Sequence, residues 1–165
     1  MGCTQNINTE PGSECSNEST SVSKFSPSPV KSDEQIARQI FTPIHIDTET
    51  GKVKPAAFTD AEKGMSTNRL SIACLKDINL LGEKKAEIDR DKGKKDREFI
   101  GLITANVGNI RAIQSSKQSR QFCIFDTAKQ DDQSHADVCQ ILTGSKGEKS
   151  DARRKLMKQF TDKPT

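Results

Sequence analysis

Apolar residues recur along this chain mostly in short runs of strand length, divided by polar turns, with helical spacing confined to the last third. Ser32-Asp33-Glu34-Gln35 has capping-box form ahead of Ile36 and Ile40, which suits a short helix or an edge strand. Phe41 to Ile46 reads as a strand. Asp47-Thr48-Glu49-Thr50-Gly51 is turn chemistry, and Lys52-Val53-Lys54 completes a hairpin that Pro55 ends. Further strands are predicted at Leu70 to Leu75, Phe99 to Ala105, Val107 to Ile113 and Phe122 to Phe125, with a Ser/Gln-rich loop from Gln114 to Gln121. The highly charged stretch from Glu83 to Arg97 reads as a solvated helix or an ordered loop, weakened by Gly93. Ser134 and Asp137 then take capping-box positions before His135, Val138, Cys139 and Leu142, which share one helical face. In the last segment, Ser150 to Phe160, the row Ala152, Leu156, Phe160 predicts a basic amphipathic helix.

These elements predict an α+β fold, a mostly antiparallel sheet with helices on one face. The 165 residues suit a single domain, assigned to residues 33–162. Residues 1–32 are mainly Ser, Asn, Glu, Thr and Pro, with Ile7, Val22, Phe25 and Val30 scattered without period. A disordered N-terminal tail is the expectation, because so little apolar surface cannot offset the entropy of ordering.

Composition narrows the chemistry. With no Trp or Tyr and seven Phe, stacking platforms for single-stranded nucleic acid are scarce. The net charge of +3 arises from 26 basic and 23 acidic residues, too evenly mixed to point to a partner. Five cysteines stand at irregular spacing without a C-x-x-C pair, and Cys74, Cys123 and Cys139 lie in apolar contexts that suit free thiols; a reducing, cytoplasmic location is expected. No run approaches the roughly 18 apolar residues of a membrane helix, and no signal-peptide core is visible. Gly2 and Cys3 have the order of a dual acylation site, but Asn6 replaces the usual Ser or Thr; Asn17-Glu18-Ser19 fits a glycosylation triplet that needs export to matter.

The only two histidines each open an H-x-D triplet, His45-Ile46-Asp47 and His135-Ala136-Asp137. On a strand, residues two apart share a face, so His45 and Asp47 are placed to cooperate; on a helix they diverge, which separates His135 from Asp137. Asp47 has a structural role open to it as a turn residue, and Asp137 as a helix cap. An iron site from His45, Asp47 and His135 would require a larger β scaffold, and the spacing after Asp47 does not fit a calcium loop, so neither a metal nor a cofactor is expected. His135 and Cys139 form the one base–nucleophile pair at helical spacing, though Cys139 lies on the apolar face.

The order Phe41, His45, Gly51, Ala57-Phe58, Leu70-Ser71 and His135-Ala136 resembles a loose group of small uncharacterised bacterial proteins over Gln39 to Cys139. The resemblance carries no activity. It implies a bacterial cytoplasmic protein whose fold brings His45, Ser71, Asp126 and His135 together, and these four are the candidate catalytic residues. Because no complete constellation is spelled out, the expected function is that of a small soluble interaction or accessory protein binding another protein. The alternatives are a hydrolase or transferase built on those four residues, and a nucleic-acid-binding accessory using Arg153, Arg154, Lys155 and Lys158.

Overall fold

A computed structural model describes residues 2–165. The fold is α+β. Five strands, β1 (Gln35–Thr42), β2 (Met65–Arg69), β3 (Glu98–Asn106), β4 (Phe122–Asp126) and β5 (His135–Gln140), form one antiparallel sheet in the order β3-β1-β2-β5-β4. Four helices accompany it: α1 (Cys3–Asn6), α2 (Leu75–Asp91), α3 (Val107–Arg111) and α4 (Lys146–Gln159).

Strand alternation gives the sheet two different faces. On the first, Ile36, Ile40, Met65, Ile103, Phe122, Ile124, Ala136 and Val138 are buried with Ala57 and Phe58 of a 3-10 segment and with Ala152, Leu156 and Phe160 at α4. This is the main core, and α4 is the helix that its apolar row predicts, capped by the reciprocal bonds of Ser145 and Glu148.

The second face is covered in two separate pieces. Over β1 and β3, Ile78 of α2 packs on Ala37 and Leu102, so helices lie on both faces of the sheet and not on one as expected. Gly82 allows that approach, since a Cβ there would stand 2.5 Å from the Phe99 ring. Over β4 and β5, the cover is the N-terminal segment, whose Cys3 packs with Cys123, Phe125, Cys139 and Ile141.

The N-terminal segment is therefore ordered, contrary to the tail expected from its composition. Its anchors are covalent and ionic, supplemented by Val30 in the main core and by Ile7 and Val22 against the β4/β5 cluster. Cys3 is bonded to Cys139 and Cys15 to Cys123. Glu18 pairs with Arg111 at 2.8 Å and with Arg120, and accepts the Ile124 N–H. Burial pushes the Glu18 carboxyl above its ordinary value, and the two arginines act against that shift. Residues 28 and 29 are held by Arg69, which donates to the Ser28 and Pro29 carbonyls and makes a two-point bond with Glu34 at 2.8 and 2.6 Å. Of the five cysteines only Cys74 keeps a free thiol.

Local departures from the predicted elements have identifiable causes. The segment after Ser32 is a central strand, not a helix, because Glu34 spends its carboxylate on Arg69 rather than on a helix terminus. The strand expected at Leu70 to Leu75 lies earlier, at β2, and Leu75 instead opens α2. Of the charged stretch, Glu83 to Asp91 forms the second half of α2, which stops before Gly93 at φ 97°, and residues 92–97 turn into β3. Val107 to Arg111 is helix α3, capped by the Asn106 side chain on the Asn109 N–H. His135 lies on β5 rather than a helix, since Ser134 donates to Asp132 instead of capping.

Loops of this length make each disulfide worth about 2–5 kcal/mol. Replacing Cys15 by Ser should lower the denaturation midpoint and open residues 2–31 to protease before the sheet. Limited proteolysis with mass mapping checks the order; cleavage first within the strands would contradict it.

Candidate functional site: a cationic cleft on the second sheet face

Between α2 and the N-terminal segment, a strip of the second face narrows to a cleft in which Asn68, His135 and Asp137 are buried and Ser66 is half-buried. Its floor is the outward row of β2 and β5: Ser66 lies opposite Asp137 and Asn68 opposite His135. Two cavities meet there. One, of about 320 Å³, lies against α2 and is walled by Leu81, Lys84, Lys85 and Ile88. The other, of about 590 Å³, lies under Val22, Ser23 and Phe25 of the N-terminal segment. Ser66, Lys129 and His135 line both.

Arg38 closes the floor. Strands β1 and β2 pair directly only at Ile36–Arg69 and Ala37–Asn68. Beyond that point the Arg38 guanidinium occupies the opening, donating to the Ser66 carbonyl at 3.0 Å and to Asp60 at 2.8 Å. Burial draws this group below its ordinary value, while Asp60 and Asp137 oppose the shift; its Nε has no acceptor. Lys85 is lowered by burial and by the like charge of Arg38, with Lys129 contributing in the same direction. Among the described residues, Lys84, Lys85 and Lys129 form no ion pair with a carboxylate.

His135 is held by its Nδ1. We place the ring proton on Nδ1, where it is donated to the Thr127 carbonyl at 3.1 Å, with Thr127 Oγ1 2.8 Å from the same nitrogen. Nε2 then carries a lone pair and accepts from Ser66 Oγ at 3.2 Å, with Asp137 Oδ1 at 3.9 Å. Burial lowers the His135 value and Lys129 adds to it, against the opposing charge of Asp137; the ring is neutral near pH 7.

The other sequence candidates serve separate structures. His45 accepts the Phe41 N–H at Nδ1, 3.1 Å, in the turn after β1, and its ring meets Phe41 edge-on. Burial, with Arg38 next, lowers it to about 4. Ser71 donates to Glu34 at 2.7 Å. Burial opposes the Glu34 charge, yet bonds from Arg69, Lys31 and Ser71 hold this carboxyl at about 2. Asp126 accepts from Ser21 and from the Ala128 N–H. No hydrogen bond joins any two of His45, Ser71, Asp126 and His135 among the described residues.

Of the two H-x-D triplets, Asp47 takes the turn role open to it, while His135 and Asp137 do not diverge on a helix as expected. His135 and Asp137 share a strand face, whereas Asp47 caps an exposed turn by accepting from Glu49 and Thr50. Cys139 is disulfide-bonded and supplies no thiolate. Cys15, Glu18 and Cys123 bring donor atoms within 4.8 Å of one another, but the two sulfurs are bonded to each other, which leaves no thiolate pair for a metal. On α4, Arg153 pairs with Glu62, and Arg154 and Lys155 share the exposed Asp151, while Lys158 pairs with no carboxylate among the described residues. No helix is long and apolar enough to cross a membrane.

No protein-family model, curated protein or solved structure matches the chain. The reading of the cleft thus rests on its own geometry. Sequence reasoning missed Arg38, Ser66 and Lys129; the alternation of Met65-Ser66-Thr67-Asn68, with polar residues on one face, was the available signal.

Both histidines titrate below their ordinary 6.5 in the folded chain, so below that pH the unfolded chain binds more protons and stability falls. The His45 share is lost progressively as pH drops from about 6.5 towards 4. A His45→Asn variant, whose amide oxygen can accept the Phe41 N–H, should show a flatter dependence in urea titrations from pH 7 to 4.5. Equal slopes in the two proteins would contradict this.

Proposed function

We propose that this chain is a binding or accessory protein whose cleft takes a compact anionic group, phosphate or carboxylate, of a small ligand. The observation that carries the reading is the convergence of Arg38, Lys85 and Lys129 on one concave site without matching carboxylates on the lysines. Lys85 and Lys129 are exposed at the mouth and Arg38 is buried behind them, so the like charges gathered on this concave surface make it attractive to an anion. Around the cleft against α2, four basic side chains (Arg38, Lys84, Lys85, Lys129) face two acidic ones (Asp131, Asp132), and Asp132 is already bonded to Asn68 and Ser134. Gln39 and Asn68 also line the cleft, but their amides are bonded within it, Gln39 donating to Asn68 and Asn68 to Asp132 and Ser134, so the lysines and Arg38 supply the charge for a phosphorylated or carboxylated molecule.

This reading narrows the expected protein-binding role to a ligand-binding one and sets nucleic-acid binding through α4 second, because three of its four candidate cations, Arg153, Arg154 and Lys155, already face carboxylates. The two disulfides favour a compartment that keeps thiols oxidised over the cytoplasm.

Inorganic pyrophosphate is a suitable probe. Calorimetry at low salt should detect binding that Lys85→Ala and Lys129→Ala each weaken by roughly tenfold, the worth of one charge-assisted hydrogen bond. Arg154→Ala, on exposed α4, should leave it unchanged. Absence of binding, or equal affinity in all four proteins, would overturn the reading.

A further inference from the structure

Ser66 and His135 meet the geometric conditions for nucleophilic chemistry inside this cleft. A nucleophile needs a base within about 2.6–3.2 Å and a third group that fixes the base. Ser66 Oγ stands 3.2 Å from the free Nε2 of His135, and the Thr127 carbonyl holds the opposite ring nitrogen. Ser66 is half-buried and lines both cavities, so a ligand can reach its hydroxyl. Lys129 lines the same two cavities and can stabilise negative charge that develops there.

We infer that Ser66 is a nucleophile activated by His135, acting on a carboxylic ester whose anionic group is held by the cleft's basic residues. This rests on the anion-binding reading of the same cleft. As the Ser66 oxygen bonds to the carbonyl carbon, its proton passes to His135 Nε2, and the carbonyl oxygen becomes anionic beside Lys129. Collapse breaks the ester C–O bond, and the departing alcohol takes the proton from Nε2. A water molecule then gives a proton to His135 and its hydroxyl to the acyl carbon. The carboxylic acid is released, and the proton returns to Ser66. The lowered His135 value keeps the ring in the base form that the first step requires.

An organic fluorophosphonate tests the pair without knowledge of the ester. It forms an Oγ–P bond, breaks P–F and releases fluoride, with the serine proton taken by His135. Intact-mass analysis should show one adduct, mapped to Ser66 and absent in Ser66→Ala. His135→Asn, checked for folding by thermal melting, should react at least about 100-fold more slowly, as loss of a general base implies. The wild-type rate should rise with pH to a plateau reached below the ordinary histidine range. An unlabelled Ser66, or a rate independent of both pH and His135, would overturn the inference. Pyrophosphate calorimetry on the same samples separates the claims: binding without labelling defeats only the chemistry, whereas loss of both defeats the binding reading as well.

Discussion

The structure depends on the covalent attachment of the N-terminal segment to the two strands at one edge of the sheet. Cys123 and Cys139 are cross-strand partners on β4 and β5, so both disulfides leave the sheet from one spot and hold Cys15 and Cys3 over it. A segment so poor in apolar residues could not bury itself by hydrophobic contact alone. Fastened this way, it shields Phe125 and Ile141 and brings Glu18 to Arg111 and Arg120.

That attachment also creates the cleft. Helix α2 alone is too narrow to close the second face from edge to edge, since it packs only on β1 and β3. Here α2 covers one side and the fastened segment the other, and the polar row of β2 and β5 lies between them. Early separation of β1 from β2 lets Arg38 reach that strip from a strand whose neighbouring residues Ile36 and Ile40 belong to the main core. The site is thus a seam between two covers, with the imidazole of His135 at the point where its two cavities meet.

Much of the local structure was legible in the sequence. Phe122 to Phe125 forms a strand, Asp47 organises a turn, and the Ala152-Leu156-Phe160 row buries α4, because each depends on neighbours a few residues away. Long-range partners had no such signal. The bonded cysteines are 136 and 108 residues apart, and nothing near Cys3 or Cys15 announces Cys139 or Cys123. His135 shows the ambiguity most clearly. Its spacing to Val138, Cys139 and Leu142 fits a helix, while the alternation of Ala136, Val138 and Gln140 fits a strand, and pairing with both β2 and β4 decides in favour of the strand. Only that outcome aligns His135 with Asp137 and opposite Asn68, with Ser66 in reach. His45 kept its prominence in the sequence but serves the turn after β1.

The contrast between the two histidines offers the most direct test, because a chain with two imidazoles gives two resolvable sets of ring signals. Nitrogen-detected NMR of the histidine rings should find His135 protonated at Nδ1 and His45 at Nε2, in keeping with the hydrogen bonds placed on each ring. Adding pyrophosphate should shift the His135 ring and leave His45 in place. A spectrum in which neither ring responds, or in which both carry the proton on the same nitrogen, would contradict the account.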